Sequence, residues 1–305
     1  MMLNAIKSLL RKKKANPFSD MDLERPVSSY RVDREPVFIS GIGRSGTHFM
    51  ATVFNAHNDF RSLHHDDVAD PIADVYTWFA KWYGIPANAA GFLRGRGHLI
   101  EKFGAQGKRY LEANAMICLN LEELVQAYGG KLIIMVRSPR NVVESHFHKG
   151  FFTQVDYENA LPVPGFNYYH KRPSHFFSRV MPKEEQEFKT WKEYTRIGKC
   201  AWKWRMCYEE IFAQLERHNL WDKTRFVYLN DFDYNAYREL CTWLGTDNIM
   251  EKSAYDQIVN NKPGKSKGKP DSYVWTEADK KDFNSEIGKV LPLFTMIENK
   301  KTWLQ

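Results

Sequence analysis

Between Gly41 and Thr47 the chain reads Gly-Ile-Gly-Arg-Ser-Gly-Thr, which crowds glycines, hydroxyls and one guanidinium into a single short segment. Residues of these types can grip an oxyanion. Glycines at Gly41, Gly43 and Gly46 permit backbone conformations barred to other residues, while Arg44, Ser45 and Thr47 supply side-chain donors beside the free N–H groups of a helix start. A loop that handles a triphosphate with magnesium needs Gly-x-x-x-x-Gly-Lys-[Ser/Thr], but here Thr47 stands at the lysine position and the cation sits three residues earlier, at Arg44. The kinase pattern therefore fails, and the anion-gripping chemistry remains.

A second constellation follows about ninety residues on, where the apolar run Lys131-Leu-Ile-Ile-Met-Val136 ends abruptly in Arg137-Ser-Pro-Arg140. The run predicts a buried strand. Pro139 suits a first helical turn, so Asn141 to His148 should continue as a helix that carries Ser145 about two turns beyond Arg137. Both side chains can then converge on one ligand, and a bidentate guanidinium matches a phosphate better than a lysine would.

Two phosphate sites in this order, each at a strand-to-helix junction, resemble those of sulfotransferases that use 3′-phosphoadenosine 5′-phosphosulfate (PAPS). Gly-x-x-Arg-Ser-Gly-Thr is similar to their 5′-phosphosulfate loop, and Arg137 with Ser145 matches the pair that holds the 3′-phosphate. From Gly41 to Asp70 the order of motifs is close to that of tyrosylprotein sulfotransferases and bacterial carbohydrate sulfotransferases. The resemblance implies donor contacts from Gly43, Arg44, Ser45, Gly46, Thr47, His48, Arg137 and Ser145. It also implies that a basic Lys/Gly segment closes over the 3′-phosphate, with Lys265 and Lys267 of Asn260–Lys269 as candidates; a solvated charged loop is the other reading.

At the place of the family's catalytic carboxylate stands Leu63-His64-His65-Asp66-Asp67, with His65 on the glutamate by residue count. Histidine titrates near neutral pH and can accept a hydroxyl proton, and cytosolic sulfotransferases use one for this purpose. His65, or His64, is thus the expected base, with Asp66 or Asp67 orienting it; a polar surface turn or a metal site are the other readings. Many relatives also carry a Lys-x-Pro where this chain has Glu112-Ala-Asn-Ala115. Lys108 or Arg109 nearby, or Arg44, is expected to take over that lysine's assistance to the leaving oxygen.

These residues need a scaffold. Val37–Ile39, Lys131–Val136 and Arg225–Leu229 read as buried strands, whereas Asp70–Tyr83, Leu119–Tyr128 and Cys200–His218 show helical spacing. Trp202, Trp204, Ile211 and Leu215 in the last of these are expected in the core rather than at a site. Alternating strands and helices predict an α/β fold, a P-loop-like three-layer domain with a central parallel sheet whose carboxyl ends carry the ligand crevice. Residues 1–35 read as a basic lead-in and 36–305 as the sulfotransferase domain. Within it, 146–200 is an aromatic, basic helical and loop insertion on the acceptor side, and 260–270 the donor-closing loop.

With 43% apolar residues and a net charge of +7, the chain can bury a large core and favours anionic ligands. Neither zinc-finger spacing nor an aromatic RNA-binding motif is present, so nucleic acid is not an expected partner. The cysteines at 118, 200, 207 and 241 form no Cys-x-x-Cys pair, which points to a reducing, cytoplasmic setting. The apolar start of Met1–Leu10, followed by Arg11-Lys-Lys-Lys14, offers weak adsorption to an anionic membrane surface. The overall expectation is sulfonate transfer from PAPS to a hydroxyl acceptor, a glycan or lipid-linked sugar, with adenosine 3′,5′-bisphosphate as product and no metal required. The alternatives are a P-loop nucleotide kinase or hydrolase, and a non-catalytic nucleotide- or polyanion-binding protein.

Overall fold

The computed structural model describes residues 18, 20–64, 71–86, 89–153, 179–261, 273–296 and 302–305, with the backbone alone for 71–76. Five strands, β1 (Val37–Ser40), β2 (Phe60–His64), β3 (Arg109–Ala113), β4 (Lys131–Val136) and β5 (Thr224–Tyr228), form one sheet in the order β2-β3-β1-β4-β5. Every pairing is parallel, with Ile39 of β1 opposite Ala113 on one side and Ile133 on the other. Such a sheet needs cover on both faces, and the side chains alternate accordingly. Phe38, Leu132, Ile134 and Val136 enter one core; Val37, Ile39, Ile133 and Met135 enter the other.

Against the first face pack α2 (Pro71–Tyr83), α3 (Ala90–Gly104), α4 (Leu121–Tyr128), α5 (Pro139–His148), α6 (Glu185–Glu193), α7 (Arg196–Arg217) and α10 (Glu277–Val290). Against the second pack α1 (Thr47–Asn55), α8 (Tyr234–Leu244) and α9 (Lys252–Asn260). The domain is the expected three-layer α/β fold with a central parallel sheet. Among the described residues no helix is long and apolar enough to cross a membrane.

One consequence of this layering places the site. The neighbouring strands β1 and β4 are followed by helices that leave to opposite faces, α1 burying Met50 and Phe54 on one and α5 burying Val142 and Val143 on the other. Where adjacent connections diverge, a crevice opens at the carboxyl ends of the strands. Pro139 occupies the first turn of α5, where its missing N–H leaves no helical bond unmade. On the inner side of α7, Trp202, Trp204, Ile211 and Leu215 are all fully buried, as their spacing predicts.

Several elements depart from the sequence reading. β2, β3 and α3 are not signalled by apolar periodicity, and β5 lies at the edge of the sheet with only Thr224 and Val227 buried, not at its centre. In β3 the reason is a buried ion pair. Glu112 is fully buried and accepts from Arg96 Nε at 2.9 Å and Nη2 at 2.7 Å, from Tyr110 Oη at 2.8 Å and from Asn114 Nδ2 at 2.8 Å. A fully satisfied carboxylate can occupy a central strand that its polarity would otherwise forbid. Of the expected insertion, 154–178 lie outside the described residues, and its flanks form the end of α5, all of α6 and the first turn of α7.

Candidate phosphate-binding and active site

The glycine-rich segment is the turn from β1 into α1. Gly41 has φ 148°, and a Cβ there would lie 2.4 Å from the Met135 carbonyl oxygen of β4; Gly46, the N-cap of α1, has φ 114°. Neither position accepts an L side chain without strain. Arg44 itself adopts φ 75°, a conformation that costs a non-glycine residue roughly 1 kcal/mol and persists only where surrounding bonds enforce it.

Those bonds come from the second motif. Arg137 Nη1, at the end of β4, donates to the Arg44 carbonyl at 3.1 Å, and Arg44 Nε donates to Ser145 Oγ of α5 at 2.9 Å. His146, next along α5, bonds through Nε2 to the Gly43 carbonyl at 3.0 Å. Segments about ninety residues apart in sequence are thereby closed into one polar cluster, as the two motifs require. Burial, together with the nearby Arg44 charge, pushes the Arg137 guanidinium below its ordinary pKa, though an arginine stays charged under all working conditions.

Two observations test whether this cluster fits an anionic ligand. Ser45 Oγ, fully buried above Gly41, has no hydrogen-bond partner among the described residues. Likewise, among those residues, neither Arg44 nor Arg137 lies against a carboxylate, although both are half-buried and close together. Half-buried like charges without a counterion repel each other, and a dianion relieves that repulsion. The free N–H groups at the start of α1, which has no side-chain cap, point the same way.

His64 ends β2, the edge strand two places from β1, and its ring meets that of His48 in the first turn of α1, edge to face with centroids 5.1 Å apart. Thr47 is buried beside it. An imidazole is thus carried to the same rim of the sheet as the loop. His65, Asp66, Asp67, Lys265 and Lys267 lie outside the described residues.

Lys108 and Arg109 do not substitute for the relatives' lysine. Arg109 begins β3, about 13 Å from the strand's carboxyl end at ~3.3 Å per residue. Its guanidinium donates to the Leu244 carbonyl at 2.6 Å and to the Glu35 carbonyl, while Lys108 Nζ donates to the Asn58 carbonyl at 2.5 Å, all at the opposite rim. Adjacency in sequence to Glu112 concealed this, because a strand carries its two ends to opposite sides of the molecule. His146 is the neighbour of the loop that the sequence reading passes over, and its only local signal is its place beside Ser145.

No protein-family profile matches the sequence, and no curated protein matches it significantly. Solved structures do. Sulfotransferase STF9 from Mycobacterium avium aligns over 90% of this chain and 79% of its own, at 14% identity and a TM-score of 0.53. Sulfotransferase STF1 from Mycobacterium tuberculosis H37Rv aligns over 85% and 78%, at 13% identity and a TM-score of 0.50. At such identities the likeness is one of architecture, and this chain has the fold of these sulfotransferases.

Proposed function

We propose that the chain is a PAPS-dependent sulfotransferase that moves a sulfonate to a hydroxyl group of a glycan or glycolipid. The observation that carries this reading is the pair of guanidiniums, Arg44 and Arg137, held together at the crevice with Ser145 and without a carboxylate among the described residues. Arg137 and Ser145 bind the 3′-phosphate. Ser45, Thr47, His48 and the loop N–H groups hold the phosphosulfate, with Arg44 neutralising charge on the bridging oxygen as it departs.

In the transfer, the acceptor oxygen forms a bond to sulfur as the bond from sulfur to the bridging oxygen breaks, and the acceptor proton passes to His65 or His64. Adenosine 3′,5′-bisphosphate leaves. Lys265 and Lys267 complete the grip on the 3′-phosphate. Support comes from Tyr273, which follows that segment and stacks on Phe147 of α5 with centroids 4.5 Å apart, two residues beyond Ser145. The net charge of +7 and the aromatic, basic span 146–200 support an anionic or sugar acceptor. Arg11–Lys14 supports a cytoplasmic enzyme working at a membrane surface.

Calorimetric titration tests the reading. Adenosine 3′,5′-bisphosphate is expected to bind far better than adenosine 5′-phosphate, without magnesium. Equal binding of the two sinks the 3′-phosphate assignment, and magnesium-dependent preference for ATP returns the chain to the kinase alternative.

A further inference from the structure

His146 is 1% exposed and stacks on Phe151 with centroids 4.4 Å apart and planes 12° from parallel. Its Nε2 meets the Gly43 carbonyl at 3.0 Å, and its Nδ1 is buried without a hydrogen-bond partner among the described residues. Burial, reinforced by the charge of Lys203, pushes its pKa down to about 3, so the ring is neutral at working pH. Because the Gly43 oxygen only accepts, the proton of the neutral ring resides on Nε2.

A phenylalanine would fill this space and keep the stack on Phe151 without burying an unpartnered nitrogen. What the imidazole adds is the donor. The Gly43 carbonyl belongs to the same planar peptide as the Arg44 N–H, so fixing one fixes the direction of the other. Alone among the residues from Gly41 to Thr47, Arg44 holds a positive φ with a side chain attached, which makes this peptide the one most in need of outside support.

We infer that His146 is a positioning residue for the phosphate loop, holding the Gly43–Arg44 peptide from α5 so that the 5′ end of the nucleotide is gripped only by a loop docked on the helix that binds the 3′-phosphate. The inference rests on the nucleotide reading above and adds to it a residue that touches neither phosphate. His146 thereby links the two grips.

The experiment compares adenosine 3′,5′-bisphosphate, adenosine 5′-phosphate and adenosine 3′-phosphate by calorimetry on the wild type, His146→Phe and His146→Gln. His146→Phe is expected to weaken the bisphosphate and the 5′-phosphate by about tenfold each, the scale of one lost hydrogen bond, while adenosine 3′-phosphate binds within about twofold of wild type. His146→Gln, whose amide can reach Gly43, should restore most of the loss. Equal weakening of all three nucleotides reduces His146 to a structural member of α5, and unchanged binding of all three shows the bond to be idle. Should the phenylalanine variant not fold, the same selective pattern is required of His146→Asn, whose amide is too short for Gly43. A wild type that does not prefer the bisphosphate to either monophosphate overturns the nucleotide reading itself, separately from the role of His146.

Discussion

Arg137 is a direct probe of the second motif, because its guanidinium sits at a strand end and its bond among the described residues goes to a backbone carbonyl. Arg137→Ala is expected to cost on the order of 2–3 kcal/mol in affinity for adenosine 3′,5′-bisphosphate, and about tenfold at most for adenosine 5′-phosphate, through the lost bond to the Arg44 carbonyl, as calorimetry can show. Arg44 should behave differently. Its alanine variant is expected to lower kcat more than it weakens the bisphosphate product; a variant with normal kcat and weak binding removes Arg44 from the transition state. For the base, His65→Ala should lower kcat roughly 10²–10⁴-fold with donor binding intact, and His64→Ala much less. A histidine base gives kcat/KM an acidic limb near pH 6 to 7, whereas an aspartate base moves it to about 4 to 5. That Arg137 and Ser145 meet at one cluster was legible in the sequence, because their spacing across one strand end and helix fixes their geometry. The contact of His146 was not, because it depends on the direction of a carbonyl 103 residues earlier.

Among the elements, apolar periodicity revealed β1, β4 and α7, whose buried faces are made of hydrocarbon. It failed for β3, where Arg109 and Glu112 break the pattern and the compensating Arg96 comes from α3. A strand satisfied by a partner from another element cannot be recognised from its own residues. The contact between α7 and α10 shows the same logic and makes a pH prediction. Burial raises the Glu286 carboxyl, but the Arg205 charge and bonds from Lys289, Tyr194 and Arg205 outweigh it, leaving the pKa below the ordinary carboxylate value. A depressed carboxylate pKa contributes stability that is full above the unfolded value, about 4.3, and is lost as pH falls through the lower folded value. Thermal melts should therefore show the wild type losing Tm below about pH 4.5, and Glu286→Gln, already less stable at neutral pH, losing less over that window. An equal acid slope in both would show that other carboxylates control this loss. His146 acts in the same direction over a higher window: neutral when folded and protonated when unfolded, it takes stability away as pH falls below about 6.5.

For the molecule as a whole, the divergence of α1 and α5 from neighbouring strands has a dynamic consequence. The two proposed phosphate grips belong to opposite layers, one packed with α8 and α9 and the other with α7 and α10. A nucleotide held at both ends acts as a rivet through the sheet. Without it, each layer can open by partial unfolding at its own free energy; with it, neither opens without first losing ligand. Amide hydrogen exchange should register the difference, slowing in both α1 and α5 when adenosine 3′,5′-bisphosphate is added but chiefly in α1 with adenosine 5′-phosphate. Protection confined to one layer in both cases would mean that the bisphosphate does not span the crevice. If both layers are protected together, release of the spent nucleotide becomes a motion shared by the two halves of the core, and a burst of product in the first turnover would then mark that escape, rather than chemistry, as the step that sets the turnover rate.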